Sequence, residues 1–152
     1  MKAIDPWTLP AKTGSAYPPP FDEPVRNREK RALGDPFGLR NFGANLVRLP
    51  PGTESSQRHW HSRQDELVMV LEGELMLLTD EGAQVMTPGM VAGFPAGKPD
   101  GHKLVNRSPE DAVYLEVGDR MPGDATAYSD IDMRSLATEG ARQFIHRDGT
   151  PY

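Results

Sequence analysis

The stretch GTESSQRHWHSRQDELVMVLEG, residues 52–73, decides how this chain is read. It carries His59 and His61 at i and i+2, the spacing that puts two side chains on the same face of a β-strand. A helix would need i and i+3 or i+4, and Pro50, Pro51 and Gly52 just upstream oppose one. Histidine is scarce, with four in 152 residues, so a pair this close reads as ligand spacing on a sheet. Glu66 follows, and His102 stands beyond a loop rich in Pro and Gly.

Outward from this stretch the chain breaks into short apolar runs separated by turn residues. Asn45 to Leu49 ends at Pro50; Leu67 to Leu71 and Leu75 to Leu78 flank Glu72, Gly73 and Glu74, which have the look of a hairpin. Ala83 to Met86 follows the turn Thr79 to Gly82, Val91 to Phe94 leads into Pro95 and Gly97, and His102 to Arg107 and Val113 to Val117 supply two more strands. Arg142 to Arg147 reads as a last strand, with a short helix expected within Ile131 to Glu139. Many short strands with Gly/Pro turns mean an all-β sandwich or barrel. Parity assigns faces: with His59 and His61 inward Trp60 points out, and with Glu66 inward Val68 and Val70 follow it while Leu67, Met69 and Leu71 face away. Both faces of that strand are apolar, which calls for a covering element or a second copy of the chain.

The glycines and histidines together resemble the cupin superfamily. The first motif is matched by Gly52, His59, His61, Glu66 and Gly73; the second by Gly89, Pro95, Gly97, His102 and Asn106. The gap before His59 is one residue longer than that family's pattern and the gap before His102 two longer, both in turns, where insertion is tolerated. The resemblance implies a cupin-type jelly-roll barrel, a double-stranded β-helix, with His59, His61, Glu66 and His102 as ligands of one divalent transition metal. Asp65 competes for the carboxylate role, and the six-residue step to Gly73 favours Glu66. The barrel is expected over residues 41–118, with an extended proline-rich N-terminal arm over 1–40 and a C-terminal extension over 119–152 packing on it.

Composition bounds the rest. The chain has the length of one domain, no cysteine and no apolar run approaching a membrane span. A soluble, cytoplasmic protein is expected, and its net charge of −5 disfavours nucleic acid as a partner. Six prolines among residues 1–24 exclude regular helix, yet Trp7, Tyr17 and Phe21 make that arm unlike a solvated tail, so it should pack on the barrel or on a partner in a homodimer. The basic run Arg26 to Arg31 is read as a solvated face or interface rim in preference to an anion site, and His146 as a lone surface histidine.

Three imidazoles and one carboxylate leave two positions of an octahedral sphere open and suit Zn, Fe, Mn or Ni without choosing among them. A small polar metabolite that chelates the metal is the expected partner. The first reading is a Lewis-acid isomerase or lyase, since the chain resembles small cupins described as sugar-phosphate isomerases. The others are an Fe/Mn-dependent dioxygenase and a non-catalytic small-ligand binder. Tyr114 and Glu116, on a wall strand, and Lys98, in the lengthened loop, are the candidates for moving protons or touching substrate.

Overall fold

A computed structural model describes residues 2–138 and 141–152. In chain order its strands are β1 (Lys12–Thr13), β2 (Glu29–Ala32), β3 (Phe42–Leu49), β4 (His59–His61), β5 (Glu66–Glu72), β6 (Leu75–Thr79) and β7 (Gly82–Met86). There follow β8 (Val91–Phe94), β9 (Lys103–Val105), β10 (Ala112–Asp119), β11 (Ala125–Tyr128), β12 (Arg134–Thr138) and β13 (Ala141–Ile145). They form three sheets, ordered β1-β2-β3-β10-β5-β8, β13-β12-β11-β4 and β7-β6-β9, as in a cupin-type jelly roll. The two smaller sheets meet edge to edge, because the His59 amide donates to the His102 carbonyl (3.1 Å) and the His102 amide to that of His59 (2.9 Å). The two histidine-bearing motifs are thus neighbours in one backbone ladder.

The core follows from strand parity. On β5, Val68 and Val70 are buried while Leu67 and Leu71 remain exposed on the outer face, with Val91 of β8 beside them at 60% exposure. Val47 and Leu49 of β3, Leu75 and Leu77 of β6, and Leu104 of β9 complete the buried cluster from the other strands. Each such side chain contributes roughly 1.5–3 kcal/mol on burial. Asn106 is fully buried and its amide donates to the carbonyls of Leu49 and Glu110, both at 2.7 Å, which fixes the bend after β9.

Three expectations are corrected. Glu72, Gly73 and Glu74 do not close a hairpin: β5 pairs with β10 and β8, whereas β6 pairs with β7 and β9, so the chain crosses between sheets there. Two adjacent apolar runs look the same whether they pair together or pass to opposite sheets. The helix within Ile131 to Glu139 is absent over the described part; Ile131 starts a turn and Arg134–Thr138 is β12, paired on both sides, while Glu139 lies outside the described residues. Alternating burial, with Ser135 inside and Arg134 exposed, outweighs the weak helical preference of that stretch. The basic run is not simply solvated either, since Glu29–Ala32 is β2 and pairs with β3.

Pro6–Thr8, Glu23–Val25 and Asp35–Phe37 are single 3-10 turns, each with proline in its first positions, where its missing N–H costs nothing. The aromatics of the N-terminal segment pack as expected of a bound segment. Tyr17 lies edge-on to Tyr128 and Phe144, Phe21 edge-on to Tyr152, and Trp7 is covered by the Arg31 guanidinium.

Gly73 sits at φ +73°, and a Cβ there would lie 2.6 Å from the Asp111 carbonyl oxygen; Gly52 has the same backbone sign at φ +76° but open space around it. Gly52→Ala should therefore cost about 1–2 kcal/mol from backbone conformation alone, and Gly73→Ala roughly 2–5 kcal/mol once the clash is added. Urea unfolding of the two variants checks this, and equal losses would contradict the crossing geometry.

Candidate metal centre

The centre is assembled by register. β4 pairs with β11 on one side and meets His102 on the other, and β5 brings in Glu66 from the facing six-stranded sheet. His59, His61 and Glu66 each offer a ligand atom within 4.8 Å of the others, a cluster able to hold one metal ion. All three imidazoles turn Nε2 toward Glu66 Oε2, at 3.7 Å for His59, 3.4 Å for His61 and 2.9 Å for His102.

Their other nitrogens fix the tautomers of two rings. His59 Nδ1 lies 2.9 Å from the Gln57 carbonyl, which only accepts, so Nδ1 carries a proton and Nε2 is the atom left for a metal. His61 Nδ1 donates to Asp124 Oδ2 at 2.6 Å, with the same result. Asp124 is buried and also accepts from the Arg63 amide and the Ser62 hydroxyl, so its carboxylate is held by three donors. His102 is positioned by a parallel stack on Phe94, ring centroids 3.6 Å apart, and its Nδ1 is buried without a partner among the described residues.

Electrostatics suit metal binding. Burial pushes the Glu66 carboxyl up, but in the metal-free protein the hydrogen bond from His102 and the positive charge of protonated His59 and His61 rings outweigh it and hold it well below the usual carboxylate range. Burial lowers His102 below the ordinary histidine value and outweighs the opposing bond to Glu66. The carboxylate is thus ready to ligate, and a metal ion would take the imidazoles by displacing the protons from their Nε2 atoms.

The cluster opens into a cavity of about 470 Å³. Tyr114 and Glu116 line it from β10; Lys98 does not, and instead pairs with Asp100 (3.5 Å) beside a small cleft behind the cluster. Tyr114 is fully buried, its hydroxyl has no partner among the described residues, and burial raises it well above the ordinary tyrosine value. Glu116 accepts from Lys30 (2.6 Å) and Asn45 (3.1 Å), both through Oε1. Asp65 points elsewhere and accepts from the Ala96 amide at 2.7 Å, which leaves the inward carboxylate to Glu66. His146 lies far off on the surface in contact with Asp132 and Tyr152. Asp124, Tyr17, Arg28 and Arg142 were not anticipated as site residues; Arg28 and Lys30 of the basic run face the cavity, while Arg26 is solvated.

Comparison with known proteins bears on this geometry. A protein-family model described as a cupin domain matches residues 45–118. A crystal structure from Silicibacter pomeroyi, described as a sugar phosphate isomerase from a cupin superfamily, is 44% identical, with 99% of this chain and 96% of that one covered at a TM-score of 0.95. The chain belongs to the cupin superfamily. A structure from Acidithiobacillus ferrooxidans, provisionally described as a sugar phosphate isomerase, is 29% identical over 83% of this cupin and 80% of its own chain, TM-score 0.75. The polyketide cyclase RemF from Streptomyces resistomycificus shares the fold at 21% identity and TM-score 0.62, over 82% of this chain and 83% of its own. No curated protein matches this cupin. Its two lengthened motif gaps both fall between strands, before β4 and before β9.

Asp124→Ala should weaken metal affinity about 10–100-fold by freeing the His61 ring, measured by competition with a chelating dye. In the metal-free protein, His102 contributes stability that is complete above about 6.5, the ordinary histidine value, and is lost as pH falls through its lower value in the fold. Urea titrations at pH 7.5 and 5.5 should therefore show a loss toward acid that His102→Gln reduces; an unchanged slope in the variant would contradict a neutral buried ring.

Proposed function

We propose that this cupin is a metal-dependent enzyme of the isomerase or lyase type, in which His59, His61, Glu66 and His102 together hold one divalent transition metal. The observation that carries the reading is the convergence of three imidazole Nε2 atoms on one carboxylate oxygen at the floor of a cavity sized for a small metabolite. The relative from Silicibacter pomeroyi, described as a sugar phosphate isomerase, supports the same class and covers nearly the whole chain. When bound, the metal supplies Lewis-acid polarisation of a carbonyl or hydroxyl oxygen.

Glu116 is the side chain placed to move the proton. Lys30 and Asn45 both bond Oε1, which leaves Oε2 as the atom to accept a proton in the cavity that Glu116 lines. In an aldose–ketose interconversion Oε2 takes the proton from the hydroxyl-bearing carbon and returns it to the former carbonyl carbon, while the hydroxyl proton passes to the former carbonyl oxygen, so the enzyme ends unchanged. Tyr114 keeps its proton at neutral pH and serves as a hydrogen-bond donor, never as the base. Lys98, outside the main cavity, is left out of the chemistry. We read residues 1–40 as an arm that completes the wall of a jelly-roll barrel, a view supported by β1 and β2 extending the six-stranded sheet.

His61→Ala and His102→Ala should lose most bound metal in mass-spectrometric analysis, and His146→Ala should lose none; equal metal in all three would defeat the ligand set. With the metal-loaded protein, ¹H NMR in D₂O should reveal proton exchange at the carbon next to the carbonyl of a phosphorylated aldose or ketose. Glu116→Gln should slow that exchange about 100-fold or more without changing metal content.

A further inference from the structure

Four cationic side chains and three carboxylates line the cavity. Two of the cations are matched locally, Lys30 by Glu116 (2.6 Å) and Arg120 by Asp35 (3.3 Å). Arg28 and Arg142 have no carboxylate partner among the described residues. Arg28 comes from the N-terminal segment; its Nη1 donates to the Ser55 carbonyl (2.5 Å) and its Nη2 to that of Gly14 (2.7 Å), while Nε is buried with no partner. Arg142 comes from β13, and its Nη1 donates to the hydroxyls of Thr126 (2.9 Å) and Ser135 (3.3 Å). Both guanidinium groups are held by neutral oxygens alone. Arg28 is half-buried, and a charge partly withdrawn from water with only dipoles for company is costly unless an anion joins it; Arg142 is exposed and free to meet the same anion from the open side.

We propose that Arg28 and Arg142 form the anion end of the substrate site and take a phosphate monoester. Two unmatched guanidinium charges are balanced by a dianion, whereas one carboxylate balances only one of them, and the planar guanidinium fork fits phosphate oxygens. Thr126 Oγ1, which accepts from Arg142, lies 3.4 Å from His61 Nδ1, so Arg142 is tied to the same cluster from the side of His61 turned away from Glu66. The ligand is thus a small phosphorylated metabolite whose oxygen-bearing end reaches Glu66 and the histidines. This rests on the reading of the cavity as a substrate site.

The experiment is calorimetric titration of the metal-loaded full-length protein with inorganic phosphate, repeated on Arg142→Gln, Arg28→Lys, Glu116→Gln and His146→Ala. Phosphate should bind wild type and His146→Ala, a variant outside the cavity, alike, Glu116→Gln at least as tightly because it leaves Lys30 unmatched, and Arg142→Gln at least about tenfold more weakly. Arg28 also ties Gly14 to Ser55, so its variant can unfold; Arg142→Gln, checked by its melting curve, then carries the test by itself. Unchanged phosphate affinity in a folded Arg142→Gln would overturn the proposal. So would tighter, equally Arg142-dependent binding of malonate, which would assign a carboxylate ligand. Arg142-dependent phosphate binding in a protein that exchanges no substrate protons would leave this site standing and remove only the isomerase reading.

Discussion

The reciprocal backbone pair between His59 and His102 is the constraint on which the rest depends. It joins two sheets edge to edge and, in doing so, brings together ligands from motifs 43 residues apart. β4 is three residues long and β9 begins just after His102, so this pair, with β11 on the other side of β4, holds both imidazoles where they meet Glu66. A strand pair fixes position far more tightly than a loop does, so the three Nε2 atoms converge before any ion arrives. The electrostatic consequence is a carboxylate held ionised among imidazoles whose remaining nitrogens are already committed to Gln57 and Asp124.

Around this centre the chain divides its labour. The motif-bearing strands supply the cluster and the buried apolar face behind it, with Val68, Leu104 and Phe94 against the histidine side. The terminal segments supply the polar wall, Tyr17 and Arg28 from one end and Arg142 from the other. Arg28 shows how closely these roles are joined: the same side chain that pins Gly14 and Ser55 faces the cavity. Its neighbour Ser55 lies 3.3 Å from Ser56, whose hydroxyl in turn lies 3.3 Å from His59, so wall and cluster share one polar network.

Much of this was legible in the residues, for physical reasons. A two-residue histidine repeat carries its own geometry, and glycines at Gly73 and Gly97 mark positions with φ above +70° that other residues resist. The parity argument placed Val68 and Val70 inside and left Leu67 and Leu71 outside, as found. What the residues could not disclose was partnership across long separations. The crossing at Gly73 depends on which strand each apolar run pairs with, and Asp124 reaches His61 over 63 positions from a turn with no signature of its own. Arg28 and Lys30 looked like part of a solvated run because a short strand that turns alternate residues inward has no distinct composition.

The aromatic contacts between the chain ends, Tyr17 on Phe144 and Phe21 on Tyr152, bear on how the molecule acquires its parts in time. His59, His61 and Glu66 lie within eight consecutive residues, so closing the loop that joins them costs little entropy. Uniting the two ends requires closing nearly the whole chain, the slow step in any fold dominated by distant pairings. Three of the ligands are therefore cheap to gather, whereas His102, 43 positions beyond His59, and the walls from the two chain ends come only with long closures, so the cluster is completed together with the chamber that encloses it.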